Sequence, residues 1–518
     1  MTPFTPRRRM FNHAYQVVKE KPKSFDAIPG PSGRYSLSYI GHVFHFKPFG
    51  RFLPSTFTEL LRHLRRGHGP VVRQRLGHQW MVFLFNPMDF QRLLFQYEKY
   101  PIRPTPSLMC VYAQRNNVPL SMAFQNNEKW IKLRQPIQEL MLKPNAISRH
   151  FRWIVEIADD FIKFRIDGSN QLRDTLSELT RLSAENSGML CYNTRLGCLT
   201  RDHQELLSSI RDVHYFLGQS FDRFPSYCFY PTKFYRDFEQ SYGIVRKATS
   251  EFMDDCLQTI NYKLALSVKD FTFMEQLLLD PRMSRDVVES AITDLFIAGV
   301  DITANVLSFV LYDLAKNPTA QDRLYTEIRQ RCGDGELNEA MFANMPYLKA
   351  CIKESLRLVP PVRDGIRREV ERDTVVAGYS IPSGTTLVLC NSVISSDEDH
   401  FPDPLAYIPE RWLRTPGTRA TIHPFAVLPF GFGRRNCVGK RIAELQMHVF
   451  IVKLLQRYSL SLADPEEELS YHYMLFATPS RKFSILLQNR LQSSDDVNIS
   501  HRKRPCQYQH PESSPLSF

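Results

Sequence analysis

The sequence predicts a mainly α-helical fold with a smaller β portion, and three observations carry that expectation. From about residue 126 to 330 the apolar residues recur at helical spacing, as in FRWIVEIADDFIKF (151–164). Residues 284–316 are apolar enough for one buried helix of about 33 residues, about 50 Å at 1.5 Å per residue. The strand-like runs are short and lie near the two ends of the chain. A chain of 518 residues with 43% hydrophobic and 12% aromatic content can bury a large core, which excludes disordered and fibrous classes.

The elements follow in chain order. MTPFTPRRRMFNHAYQVVKEKPK opens the chain with six Arg or Lys residues and a single acid, Glu20. This basic, acid-poor composition with interspersed hydrophobics is that of a mitochondrial transit peptide, expected over 1–25. Residues 36–96 mix helical segments such as 55–66 with strand-like runs such as MVFLF (81–85). Asn317-Pro318 ends the long helix, because proline cannot continue its hydrogen-bond ladder. DTVVAGYSIPSGTTLVLC (373–390) and KFSILLQ (482–488) alternate as strands with turns. The last stretch, 491–518, is polar and aperiodic and is expected to be a disordered tail, its HRKR a solvated charge run. One catalytic domain is therefore expected over 26–490.

Charge and cysteine usage narrow the class further. The formal net charge of +12 points to acidic partners or an anionic surface. No basic motif with interleaved aromatics is present, so nucleic acid is not an expected partner. Ten cysteines are scattered without a C-x-x-C pair, which suits a reducing compartment and structural thiols. No uninterrupted run of about 18 apolar residues occurs, and no membrane anchor is expected.

The chemistry concentrates in HPFAVLPFGFGRRNCVGKRIAELQMHVF (423–450). Cys437 sits in a glycine-rich loop just before a helical run that starts near Gly439. A thiol there meets unpaired backbone N–H groups and the positive end of the helix dipole, both of which favour thiolate. Gly431, Gly433 and Gly439 leave room for a large flat group to approach the backbone. A thiolate can be an axial ligand of haem iron. A plain structural cysteine is the alternative for Cys437 taken alone, and GFGRRN lacks the third glycine of a dinucleotide loop.

FGFGRRNCVG resembles the cytochrome P450 signature F-x-x-G-x-R-x-C-x-G at Phe430, Gly433, Arg435, Cys437 and Gly439. KESLR supplies an E-x-x-R pair, Glu354 and Arg357, on one helix face, and PERW adds Arg411. WIKLR resembles the haem-propionate helix through Trp130 and Arg134, and Arg367 falls where a further propionate-binding arginine is expected. The resemblance covers roughly 100–445. It implies the P450 fold, with haem b between the long helix and the cysteine-loop helix, Cys437 as axial thiolate, and an ion-pair network of Glu354, Arg357 and Arg411.

Within the family, YLKACIKESLRL resembles the mitochondrial, ferredoxin-dependent branch. Lys349 and Lys353 lie one helical turn apart, and Lys440 and Arg441 follow the cysteine. The resemblance implies docking of a mitochondrial [2Fe-2S] ferredoxin of the adrenodoxin type at these four cations, reduced in turn by its NADPH reductase. It also implies peripheral attachment to the matrix side of the inner mitochondrial membrane.

AGVDIT aligns Ala298, Gly299, Val300, Asp301, Ile302 and Thr303 with the family's oxygen-activating A-G-x-D-T-T. Gly299 is expected to let dioxygen and water sit against the helix, at a helix-propensity cost of about 1 kcal/mol. Asp301 resembles the proton-relaying acid. The usual threonine is replaced by Ile302, which cannot hydrogen-bond. Thr303 has the hydroxyl, rotated by about 100°. Three functions remain open: a monooxygenase whose proton relay uses Asp301, ordered water and a substrate hydroxyl, with Thr303 a further catalytic candidate; a haem-thiolate isomerase or dehydratase; and a low-turnover haem-binding protein. The basic docking face favours the first. Segments 107–114, 216–224, 294–299 and 474–479 are expected to meet a lipophilic substrate, sterol- or ecdysteroid-like by resemblance.

Overall fold

A computed structural model describes residues 21–490, apart from 39, 54–55, 77–78, 96–99, 144–147, 167, 222, 334, 364 and 414–421. The expected tail over 491–518 and most of the expected transit peptide lie outside the described residues. Lys23 and Phe25, which fall inside the expected 1–25 leader, already pack on the domain. The Lys23 backbone pairs with Gly378 and Ser380, and Phe25 stands edge-on to Trp80 at 5.7 Å.

The architecture is mainly helical, with small sheets at the periphery. Its axis is the long helix Arg285–Lys316, within one residue of the expected bounds. This helix is apolar on nearly all sides, and such a helix belongs in a core. It is long and apolar enough to cross a membrane, but most of its apolar stretch is buried inside the protein. Asn317 stops it, its side-chain amide donating to the Asp313 carbonyl at 2.8 Å, and Pro318 begins the next helix.

The helix Thr175–Tyr192 crosses the long helix closely at Gly299. A Cβ on Gly299 would come within 2.6 Å of Ser187 Oγ. The helix crossing is thus one reason for a glycine here, and Gly299 also lines the cavity of the functional site. The side that a side chain would take is filled by Ser187.

A four-stranded sheet runs in the order Val71–Leu76, Gln79–Leu84, Thr386–Leu389, Ile366–Glu369. The first and last pairings are antiparallel and the central one is parallel. The Arg367↔Val388 register sets Arg367 on the cavity side of this sheet. A hairpin of Tyr471–Tyr473 with Ala477–Pro479 carries its turn, Met474 to Phe476, into the same cavity. No disulfide joins the described cysteines.

Candidate functional site: a cationic, apolar cavity above a cysteine loop

The long helix and the cysteine loop enclose a cavity of about 540 Å³. Its wall is largely apolar. Cys437 is the only cysteine in that wall among the described residues. The loop that carries it is folded by two glycines in the left-handed region, Gly431 at φ +69° and Gly433 at φ +72°. The Cys437 N–H then donates to the Phe430 carbonyl at 2.8 Å, which closes the loop. The helix Lys440–Arg457 starts immediately afterwards. Phe430, Arg435 and Gly439 also line the cavity, whereas Gly433 serves the turn and stands outside the wall.

The Cys437 side chain is exposed, but to the cavity rather than to the outer surface. Burial among protein atoms raises its thiol pKa, opposed by the Gly439 N–H and by Arg134 and Arg103. A cation bound at sulfur would supply what the protein alone does not, and coordinating thiols are deprotonated.

Around the sulfur stands a cluster of arginines, Arg134 and Arg435 buried and Arg103 half-buried. Arg134 donates to Asn436 at 2.9 Å (carbonyl) and 2.8 Å (Oδ1), and to Gln138. Arg435 donates to the carbonyls of Pro101 and Gln125 and to Asn126 Oδ1, and lies 4.0 Å over the Trp130 ring. Arg103 donates to the Arg435 carbonyl at 3.3 Å. None of the three meets a carboxylate among the described residues. Burial first, then mutual repulsion with Arg103, Arg368 and Arg134, pulls Arg435 down to about 8. Arg134 falls to about 10, chiefly through burial.

Guanidinium groups so depressed await an anion, because buried charges are stable only when paired. The wall thus asks for a flat apolar body with an anionic edge against Arg103, Arg134 and Arg435, and a soft-ligand metal at Cys437. Haem meets all three requirements. Arg367 lines the wall as well, 5.1 Å over Phe221.

Outside the cavity, Glu354 and Arg357 are fully buried on the helix Pro346–Leu358. Arg357 donates to both Glu354 oxygens at 2.9 and 2.7 Å, and Arg411 adds a third contact at 2.9 Å. The indole N–H of Trp412 and the backbone N–H of Ile408 complete the shell. Sequence reasoning brought the first three together and missed the last two.

On the long helix, Ala298, Gly299, Ile302 and Thr303 all belong to the cavity wall. Asp301 does not. Its carboxylate turns away to His214 of the helix Gln204–Ser220, with Nδ1···Oδ2 at 2.7 Å. His214 itself lines the cavity, its ring edge-on to Phe476 at 5.1 Å. No sequence signal marks His214, 87 residues from its partner. Arg103 was also missed, and Asp294 was covered by the expected substrate segment 294–299 without being singled out. Asp294 lies seven residues before Asp301, two helical turns away on one face, a spacing that could have exposed it.

The expected substrate segments divide. Leu217, Phe221, Leu295 and Phe476 line the cavity, but 107–114 does not. Leu108, Met109 and Tyr112 pack into the main core, and the wall there comes from Pro104, Pro106 and Met122–Phe124.

Fold and site together define a haem-thiolate oxygenase. The family model for Cytochrome P450 matches residues 31–487. The chain is 30% identical to the probable cytochrome P450 49a1 of Drosophila melanogaster, over 85% of this chain and 79% of that protein. It is likewise 30% identical to the mitochondrial 1,25-dihydroxyvitamin D(3) 24-hydroxylase of Mus musculus, over 89% of each. The mitochondrial sterol 26-hydroxylase of Mus musculus matches at 29%, over 80% and 81%. The chain belongs to the cytochrome P450 family and is a monooxygenase, with haem iron on a cysteine thiolate as the family's cofactor.

Proposed function

We propose that this P450 hydroxylates a lipophilic, sterol- or ecdysteroid-like substrate in the mitochondrion, using dioxygen and electrons from an adrenodoxin-type [2Fe-2S] ferredoxin. The observation that carries the reading is a cationic face beside the cysteine loop. Lys349, Lys353, Lys440 and Arg441 are all exposed there. They share one field: Lys353 is depressed by burial and then by Lys440, and Lys440, Lys349 and Arg441 all act on Glu444. An acidic ferredoxin would be steered and oriented by such a patch. The sterol and vitamin D hydroxylases among the relatives support the substrate class. Attachment to the matrix side of the inner membrane is supported by exposed Ile40, Phe49, Phe224 and Phe229 on a cationic chain.

In this reading the Cys437 sulfur would hold the haem iron, and Arg134, Arg435 and Arg103, with Trp130 and Arg367, would hold its anionic edge. Bound haem supplies oxygen activation and C–H oxidation; the chain supplies orientation, water exclusion and protons. The apolar wall positions the substrate and keeps bulk water out. Asp301 orients His214, whose other ring nitrogen, Nε2, has no hydrogen bond among the described residues. His214 therefore carries a proton at the cavity wall where Ile302 cannot, with the Thr303 hydroxyl as a second wall group.

The test combines purified holoprotein with a mitochondrial ferredoxin, its reductase, NADPH and a sterol and ecdysteroid panel, reading product and hydrogen peroxide per NADPH. Oxygenated product is expected. Lys349→Glu with Arg441→Glu should slow reduction by about tenfold or more, most strongly at low salt, as for charge-steered encounters. Lys353 is left intact because its ammonium lies 3.9 Å over the Trp412 ring, inside the structural network. Ile302 is what favours a second reading, as isomerase or dehydratase. No NADPH use by intact holoprotein, with substrate rearranged instead, would establish it.

His214→Phe keeps an aromatic ring against Phe476 and removes the proton carrier. Product formation should fall on the order of a hundredfold, the usual scale of acid–base catalysis. Peroxide per NADPH should rise, with haem content unchanged. Ile302→Thr should move the ratio the other way, towards product. Unchanged product-to-peroxide ratios in both variants would remove the relay from this scheme.

A further inference from the structure

Gly218 is buried in the last turn of the helix Gln204–Ser220, and its φ is not positive. No left-handed turn requires a glycine there, and glycine weakens a helix relative to alanine. A close approach supplies the reason. A Cβ at this position would run into the carbonyl group of Met474 and come within 2.7 Å of the Leu475 nitrogen. All of these atoms are main chain, so no rotamer change relieves the contact.

The turn that abuts Gly218, Met474 to Phe476, lines the cavity. So do His214, Leu217 and Phe221, on either side of Gly218 along its helix, whereas Gly218 itself is not part of the wall. The hairpin is also tied to the segment 360–362. The Ala477 N–H donates to the Pro361 carbonyl at 3.0 Å, Phe476 pairs with Val362 through a β-bridge, and the Tyr473 hydroxyl donates to the Pro360 carbonyl at 2.9 Å. The helix is fixed one turn before Gly218, where His214 holds Asp301 at 2.7 Å and meets Phe476 edge-on at 5.1 Å. The turn is thus tied at 360–362 and butted against a helix that carries no side chain at the point of contact.

We propose that Gly218 is a specificity-determining position of this oxygenase. As the seam between helix and hairpin, it sets how far Met474 to Phe476 stand from Leu217 and Phe221, and so how long a guest the cavity accepts. It touches no substrate and acts through the turn, which makes it a positioning residue. Close-packed interiors transmit such a change, because a methyl group without room displaces whichever element yields. The ties at 360–362 hold the turn and the His214–Asp301 contact holds the preceding helical turn, so the helix end from Leu217 onward is the part that lifts. The inference rests on the reading of this cavity as the pocket of a lipophilic guest, and deepens it.

The experiment measures binding of n-alkylimidazoles, from butyl to dodecyl, to the holoprotein, by the change in the haem spectrum and independently by calorimetry. Imidazole nitrogen is a ligand for iron, and the tail gauges the free length beyond it. In wild type each added methylene should tighten binding about fourfold until the tail meets the roof, where the gain stops. Gly218→Ala should move that break by at least one methylene towards longer chains, with haem content unchanged. Gly243→Ala, on the helix Lys233–Ala265 with open space at its Cβ, should leave the break in place. A break at the wild-type length in Gly218→Ala overturns the proposal, and so does uniformly weaker binding at every length, the mark of a merely structural effect. A break at shorter chains keeps Gly218 as the seam and overturns the helix end as the part that yields. Binding of no alkylimidazole by wild-type holoprotein overturns the reading of the cavity itself. A Gly218→Ala protein that holds no haem passes the decision to amide hydrogen exchange in wild type. Residues 474–477 and 217–221 should then lose protection together once the tail exceeds the break, and independent protection of the two segments overturns the seam.

Discussion

Cys437→Ala is expected to yield a folded protein without a thiolate-type reduced-carbonyl spectrum and with product formation reduced to background. The fold should survive because the contact that closes the loop is made by the backbone, from Cys437 N–H to the Phe430 carbonyl. The positive-φ glycines at 431 and 433 that shape the turn are also untouched. What is lost is the one thiol in the cavity wall among the described residues. The arginine cluster remains, so haem can still be drawn in by its anionic edge, and haem content should fall less than activity. Cys437→Ser separates the two effects by keeping volume while replacing a soft ligand with a hard, weakly acidic one. A thiolate-type spectrum persisting in Cys437→Ala would mean that a different cysteine supplies the ligand. None of the other described cysteines lines the cavity.

The residues that were legible from sequence are those whose roles are local. Glu354 and Arg357 are three apart on a helix, so spacing alone sets them on one face. Cys437 lies within a few residues of the glycines and the helix start that define its surroundings. The long helix was legible from its apolar run, ended by Asn317-Pro318. Groups that meet only through the tertiary fold were not. His214 and Asp301 come from helices that cross, and nothing in either segment marks the other. Arg103 joins Arg134 and Arg435 from a proline-rich stretch without a periodic pattern. At Gly299 the motif was visible, but the close approach of Ser187, on a helix more than a hundred residues upstream, was not. Thr303 is a similar case. Rotation by about 100° argues that neighbouring helix positions face apart, yet the cavity is wide enough for Ile302 and Thr303 both to reach its wall.

Glu354→Ala is expected to cost about 3–5 kcal/mol, the usual penalty for stranding a charge by removing its buried partner. Against a typical total of about 5–15 kcal/mol this is a large fraction of the stability. The structure explains why the loss should sit at that end of the scale. Glu354 accepts from Arg357, Arg411, Trp412 and the Ile408 backbone, and all four donors lose an acceptor at once. Arg357 retains carbonyl partners at Ser395, Pro404 and Ala406, which soften the loss without supplying a countercharge. The consequence reaches function because Trp412 also underlies Lys353 on the cationic face. The measurement is haem per protein together with the thermal unfolding midpoint, both of which should drop sharply. A paired replacement, Glu354→Leu with Arg357→Leu, distinguishes a charge penalty from simple loss of packing. If the stranded charge of Arg357 dominates, the double variant should be more stable than Glu354→Ala alone, since apolar replacement of a whole buried pair is often neutral. Recovery should stop short of wild type, because Arg411 still loses its carboxylate and, among the described residues, keeps the carbonyls of Pro402, Asp403 and Ala406. Wild-type haem content and midpoint in Glu354→Ala would show that the network does not hold this part of the fold together.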